Sequence, residues 1–182
     1  SSIKFTKEII IVYDTEKENA LNVAKELSEE FENVKLIHNT KAKGVKYAVD
    51  VGIQNAKYDV VMIFAVDEIF PVIAIDKMLT HLIENDLDFI SGTRYSKGGT
   101  RLGGSFLGAI FSRTANKLFN LFTNIPLTDC TTGIKMMKKK VWNSIELESK
   151  PIGWAYAFEL TIKVYLKDYK IDEFPLKSVD LN

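Results

Sequence analysis

The chain has 182 residues, 46% hydrophobic and 26% charged, with 24 basic against 24 acidic side chains and no net charge. That balance describes one globular domain over 1–182 and excludes a diffuse nucleic-acid-binding surface, which needs a strongly basic face. No apolar run nears the ~20 residues of a membrane-spanning helix, no signal-peptide pattern opens the chain, and a lone cysteine, Cys130, fits a reducing, cytoplasmic compartment and a buried inert thiol.

Elements follow from periodicity. Glu8 to Val12 (EIIIV) is a short apolar run that suits a buried parallel strand. Glu16 to Phe31 carries helix-spaced apolar residues, Val34 to His38 is a second strand, and Lys43 to Ala56 a second helix. Asp59 to Ala65 (DVVMIFA) is the most hydrophobic strand and is expected at the sheet centre. Pro71 opens a helix running to Asn85. Asp88 to Arg94 is a strand, Ser105 to Phe122 and Tyr156 to Leu166 are helices, and Lys170 to Val179 is a late strand whose Pro175 suggests an edge. Alternating strands and helices imply an α/β fold, a mostly parallel sheet covered on both faces. Ligands in such folds bind beyond the carboxyl ends of the strands, where Asp14, Asn39, Asp67 and Arg94 fall; these four are expected in one crevice.

Each station allows a chemistry and a plainer role. Asp14 can accept from a base or ribose, or cap the next helix. Lys43-Gly44 can meet a phosphate at a helix start, or simply start it. Asp67, with Glu68 beside it, can bind a hard divalent cation together with substrate phosphates, or cap the helix from Pro71. Arg94, Arg101 and Arg113 lie on or beside a Gly-rich stretch, and a guanidinium there suits bidentate phosphate binding as well as plain solvation. Asp129 sits in TDCTTG, as an Asx-type turn, as a partner for Arg94 or Lys135, or beside the acceptor. Glu159 has the same ambiguity, and Trp154 either covers a sugar ring or packs in the core. His81 is read as a surface residue. The helix from Ser105 to Phe122 has a broad aromatic face, with Arg113 and Lys117 one turn apart; it either lies against a membrane or faces the core.

In order along the chain stand IIIVYD (Ile9 to Asp14), Lys43-Gly44, AVDE (Ala65 to Glu68), SGTRY (Ser91 to Tyr95), GGS…SR (Gly103 to Arg113), DCTTGIK (Asp129 to Lys135), FEL..K (Phe158 to Lys163) and EFPL (Glu173 to Leu176). This series resembles the family 2 glycosyltransferases, especially the polyprenyl-phosphate (dolichol-phosphate mannose synthase-like) branch. The resemblance implies a Rossmann-like GT-A fold and transfer of a sugar from a UDP- or GDP-sugar to a lipid phosphate, at the cytoplasmic face of a membrane. It implies that Asp14 contacts the nucleotide and that Asp67 binds Mg²⁺ or Mn²⁺ with the diphosphate. Arg94, Arg101 and Arg113 would handle donor and acceptor phosphates. Asp67, Arg94 and Asp129 are thus the candidate catalytic residues, and Asp14, Lys43, Gly44, Arg101, Arg113 and Lys135 the candidate donor-binding ones.

The series also departs from the family pattern. Its Asp-x-Asp stands here as Ala65-Val66-Asp67, and Tyr13 and Thr15 flank Asp14 in place of Asp and Gly. Counterparts of the family's first strand and helix, and of its final Arg and Gly-Ser loop, are missing, so the resemblance leads us to expect a piece trimmed at both ends. Two further readings stay open. A non-catalytic nucleotide-sugar or partner-binding relative is favoured by the lone Asp67 and opposed by the Arg94, Arg101, Arg113 and Asp129 cluster. A transferase for a soluble or protein-linked acceptor is opposed by the basic aromatic helix.

Overall fold

A computed structural model describes residues 4–17, 20–64, 70–103, 106–150 and 152–180, with the backbone alone for residues 70, 71, 101–103, 106–109 and 178–180. Strand β1 (Ile9–Tyr13), helix α1 (Leu21–Glu30), β2 (Val34–His38), α2 (Val45–Asn55) and β3 (Val60–Ile63) alternate as the periodicity requires. A 3-10 turn, Phe70–Ala74, leads into α3 (Ile75–Glu84), so the helix expected from Pro71 begins four residues later. Then come β4 (Phe89–Thr93), β5 (Thr100–Gly103), α4 (Phe106–Thr123), β6 (Lys135–Lys138), α5 (Lys139–Ser144), α6 (Ala155–Leu166), β7 (Ile171–Pro175) and β8 (Lys177–Asp180). Three of these were not expected: β5, β6 and α5. The late strand is two, broken at Leu176, whose N–H turns back to the Thr93 carbonyl.

The strands form three sheets: β1–β2 parallel, β5–β8 parallel, and β3-β6-β4-β7. The last is mixed. β6 runs antiparallel between β3 and β4, while β4 and β7 are parallel. The expectation of one mostly parallel sheet is corrected to this extent: β3 pairs with β6, an inserted antiparallel strand, and not with a parallel neighbour.

Side-chain alternation decides which layer covers which face. Val61, Ile63, Phe89 and Met137 point into one core with Ile53 of α2, Val141 and Trp142 of α5, and Tyr156, Leu160 and Val164 of α6. Their neighbours Val60, Met62, Ile90 and Met136 point the other way, onto Met78 and Leu82 of α3. Burying a side chain of this size stabilises by about 1.5–3 kcal/mol. Helix α2 also reaches β1, where Gly52 lies so close to Val12 that an added Cβ would sit 3.3 Å from its Cγ2. Layers of helix, sheet and helix thus leave the carboxyl ends of β1 and β4 free to carry polar residues.

Candidate functional site

Asp14 follows β1 and is spent on the scaffold. One carboxylate oxygen accepts from the Asn39 side-chain amide and the other from the Gly44 backbone N–H, each at 2.7 Å. Gly44 precedes α2 with φ +120°, a backbone region that favours glycine. Asp14 therefore does cap a helix, but the cap closes α2 from 30 residues away, whereas α1 starts after Ala20 with no side-chain cap. The Gly44 N–H expected at a phosphate is the one Asp14 holds. Lys43 beside it is exposed. Asn39 is buried and also donates to the Ala42 carbonyl, fixing the bend between β2 and α2.

The second station is built on the end of β4. Arg94 Nε donates to Asp129 Oδ2 at 2.7 Å and Nη2 to Asp129 Oδ1 at 3.0 Å, a two-pronged pair. The Arg94 backbone N–H adds a third bond to the same carboxylate. Asp129 is wholly buried while Arg94 keeps 17% of its side chain exposed. Burial alone would raise the Asp129 carboxyl; the Arg94 guanidinium and the Thr131 hydroxyl outweigh it and hold the group below the ordinary carboxylate range. Asp129 also accepts from the Thr131 N–H, so the Asx turn and the partner of Arg94 are both present in one residue.

Around this pair the side chains interlock. Thr131 Oγ1 receives Arg94 Nη2 at 2.6 Å. The Tyr95 hydroxyl donates to Ser112 of α4, which meets Thr131 in turn. The guanidiniums of Arg94 and Arg113 lie 5.2 and 5.4 Å from the centre of the Tyr95 ring, within cation–π range. Glu173 of β7 accepts from the Thr128 N–H and hydroxyl. Arg113 thus meets Arg94 across a shared aromatic face. Arg101 lies on β5 in register with Ser178; its side chain is outside the described residues, as is the whole of Asp67.

Lys135, a candidate donor-binding residue from the sequence, stands inside the sheet. It has no exposed surface, and its amine donates to Ser91 Oγ at 2.7 Å across the β4–β6 ladder. Ser91 passes a hydrogen bond to the Asp129 carbonyl. Burial lowers the Lys135 amine to about 8, the nearby Asp129 charge opposing that shift. Cys130 is buried and its thiol pushed up to about 11, chiefly by burial, which agrees with an inert role. Glu159 is structural. Burial would raise its carboxyl, but the N–H groups of Glu148 and Ser149 and the Lys163 amine bring it down to about 2. Trp154 packs its ring on Gly133, beside the Asp129 turn. His81 is partly exposed and meets Asp172 at 2.7 Å.

Sequence reasoning missed Asn116, Tyr95, Ser112 and Ser91 as site supports. Ser112 and Asn116 had a signal: two polar residues at i,i+4 in a helix otherwise rich in apolar ones. Among the described residues no group of three or more His, Cys, Asp or Glu side chains gathers to hold a metal. Among the candidate site carboxylates that are described, Asp14 is engaged by Asn39 and Gly44 and Asp129 by Arg94. A cleft of about 500 Å³ lined by Lys4, Ile73, Asp76, His81 and Phe174 shares no residue with either station. No described helix is long and apolar enough to cross a membrane.

Comparison with known proteins agrees with this architecture. The chain is 31% identical over 160 residues to a dolichol-phosphate mannosyltransferase of Pyrococcus furiosus, a match covering 86% of this chain and 44% of that protein. The chain therefore spans less than half the length of this relative. In fold it is similar to glucosyl-3-phosphoglycerate synthase of Mycobacterium tuberculosis. The structure with phosphoglyceric acid has a TM-score of 0.75 at 12% identity, covering 100% of this chain and 65% of that one. The structure with Mn²⁺, UDP-glucose and phosphoglyceric acid has a TM-score of 0.71 at 13% identity, covering 97% and 62%. The likeness bears out the GT-A fold. Residues 3–145 match the family model described as glycosyl transferase family 2, and with most of the chain inside that match, the chain belongs to glycosyl transferase family 2.

Proposed function

We propose that the chain carries a glycosyltransferase site that moves a sugar from a nucleoside-diphosphate donor to a polyprenyl phosphate. The observation that carries this reading is the Arg94–Asp129 pair with Arg113 beside it across Tyr95. Two guanidiniums held on one aromatic ring suit a phosphate-bearing ligand, because their positions are fixed before it arrives. The acceptor phosphate oxygen attacks the anomeric carbon, the bond from that carbon to the donor diphosphate breaks, and the nucleoside diphosphate leaves with the electron pair. The nucleophile is already an anion, so the residues here need to position charges and have no proton to remove. Arg113 and Arg94 orient the acceptor phosphate, and Arg101 lies on the strand that follows the same loop. Asp67 would hold a divalent cation, Mg²⁺ or Mn²⁺, which when bound offsets diphosphate charge; the synthase used for comparison was crystallised with Mn²⁺ and UDP-glucose.

The lipid half of the proposal rests on α4. Ile110, Phe111, Leu118, Leu121 and Phe122 are exposed, the last at 80%. At about 100° per residue they share roughly a third of the helix circumference, with Arg113 and Lys117 exposed along one flank. An apolar stripe with a basic flank matches an anionic bilayer surface. Seated on a bilayer, the same stripe would bring Arg113 to headgroup level, where a lipid phosphate would enter.

A second reading, a binding relative without chemistry, is favoured by the full engagement of Asp14 with Asn39 and Gly44. Titration of UDP, GDP and their sugar conjugates against the full-length protein, with and without Mn²⁺, separates the two. A metal-dependent rise in melting temperature for one nucleotide, lost in Asp67→Asn, supports the transferase through linkage. No shift with any nucleotide would sink it.

A further inference from the structure

We infer that Asn116 is a positioning residue through which α4 sets the Arg94–Asp129 pair, so that seating the outer face of α4 on an anionic bilayer orders the turn carrying Asp129. This rests on the bilayer reading of α4 and adds the link between that surface and the site. Asn116 lies on the opposite side of α4 from Phe111, Leu118 and Phe122 and is 2% exposed. Its amide spans the turn. Oδ1 accepts the Cys130 N–H at 2.7 Å, and Nδ2 donates to Thr131 Oγ1 at 3.3 Å and reaches Asp129 Oδ1 at 3.5 Å. One turn earlier, Ser112 bonds Tyr95 and Thr131. A single helix face therefore grips both the turn that holds Asp129 and the ring that holds the two arginines.

Among the described residues of α4, the inner contacts include this polar grip and Phe119, which packs on the main core with its ring edge-on to Phe158, while Ile110, Phe111, Leu118, Leu121 and Phe122 are exposed. A roll of about 20° about the helix axis, at a side-chain radius of about 5–6 Å, moves the Asn116 amide by roughly 2 Å. That displacement breaks a 2.7 Å hydrogen bond. Fixing the outer stripe in a bilayer suppresses the roll and so holds the amide on the turn.

The test is hydrogen–deuterium exchange of the full-length protein across residues 128–134. It is run with and without vesicles of 70% phosphatidylcholine and 30% phosphatidylglycerol, with flotation scored in parallel. The expected result is at least a threefold slowing of exchange in this turn when wild type binds the vesicles. Asn116→Ala, whose outer face is intact, floats equally but shows no slowing. Tyr95→Phe, which removes one hydroxyl from the grip, gives a reduced response if Asn116→Ala does not fold. Wild type that floats with no change in exchange overturns the inference while leaving the bilayer reading standing. So does an Asn116→Ala variant that responds as wild type does. Wild type that does not float overturns both.

Discussion

Removing the Asp129 carboxylate tests whether the Arg94 station is held by charge. In Asp129→Ala, Arg94 loses a two-pronged partner and its backbone N–H loses an acceptor. Breaking a buried pair from one side costs about 3–5 kcal/mol, because the remaining charge stays desolvated. Arg94 keeps 17% exposure and can turn toward water, which puts the expectation near the lower end, about 3 kcal/mol. Asp129→Leu combined with Arg94→Met removes both charges, and such replacements are often close to neutral. The double variant should therefore be more stable than Asp129→Ala. Urea unfolding at pH 7 by circular dichroism, extrapolated linearly, measures all three. A double variant as unstable as Asp129→Ala would refute the reasoning, since it would mean that the fold needs the shape of the turn and not the pair. The pH dependence gives a second check. The Asp129 carboxyl is held below its ordinary value of about 3.9. Its contribution is therefore full above that value and is lost as pH falls through the folded-state value. Asp129→Asn should flatten the part of the acid limb below about pH 4.

Three further outcomes are expected. Lys135 sits at about 8 in the folded state and near 10.4 unfolded, so the unfolded chain binds the extra proton between those values and stability rises with pH across that window; the difference between wild type and Lys135→Met in denaturant titrations from pH 7 to 10.5 should show this rise. Gly133→Ala would drive a methyl into the Trp154 ring and should cost about 1–3 kcal/mol in thermal unfolding, with Trp154→Leu in the same chain recovering part of it. Glu159, brought down to about 2, keeps its contribution until the pH falls through that value. Glu159→Gln should therefore lower the melting temperature at pH 3 as well as pH 7, on the scale of about 1.5–3 kcal/mol for a hydrogen bond to a charged group.

Most of the scaffold was legible because its elements announce themselves locally. Ile9 to Val12 and Val60 to Ile63 are apolar runs too short for helices, and α2 and α3 carry apolar residues at helical spacing. β6 was not legible. Lys135-Met136-Met137-Lys138 offers two apolar residues between lysines, and it becomes a central strand only because Ser91 accepts the Lys135 amine inside the sheet. The capping role of Asp14 was right in chemistry and wrong in address, because a side chain that caps from 30 residues away leaves no local spacing to read. A partnership of Asp129 with Arg94 is one of several roles the sequence leaves open, because nothing local in TDCTTG tells Arg94 from Lys135 as its partner. Asn116 has the i,i+4 spacing to Ser112 as a signal, but its role depends on the turn opposite, which no local spacing reveals.

The division of the strands has a consequence for how the molecule opens. β1 and β2 pair with each other, and what ties them to the four-stranded sheet is α2 together with contacts such as Glu8 to the Lys57 N–H. Ladder hydrogen bonds propagate cooperativity along a sheet, whereas a helix packed across two sheets transmits it only through side chains. The β1–β2 unit with α1 is therefore expected to open below the free energy of global unfolding, with Asp14 as the latch that closes it onto α2.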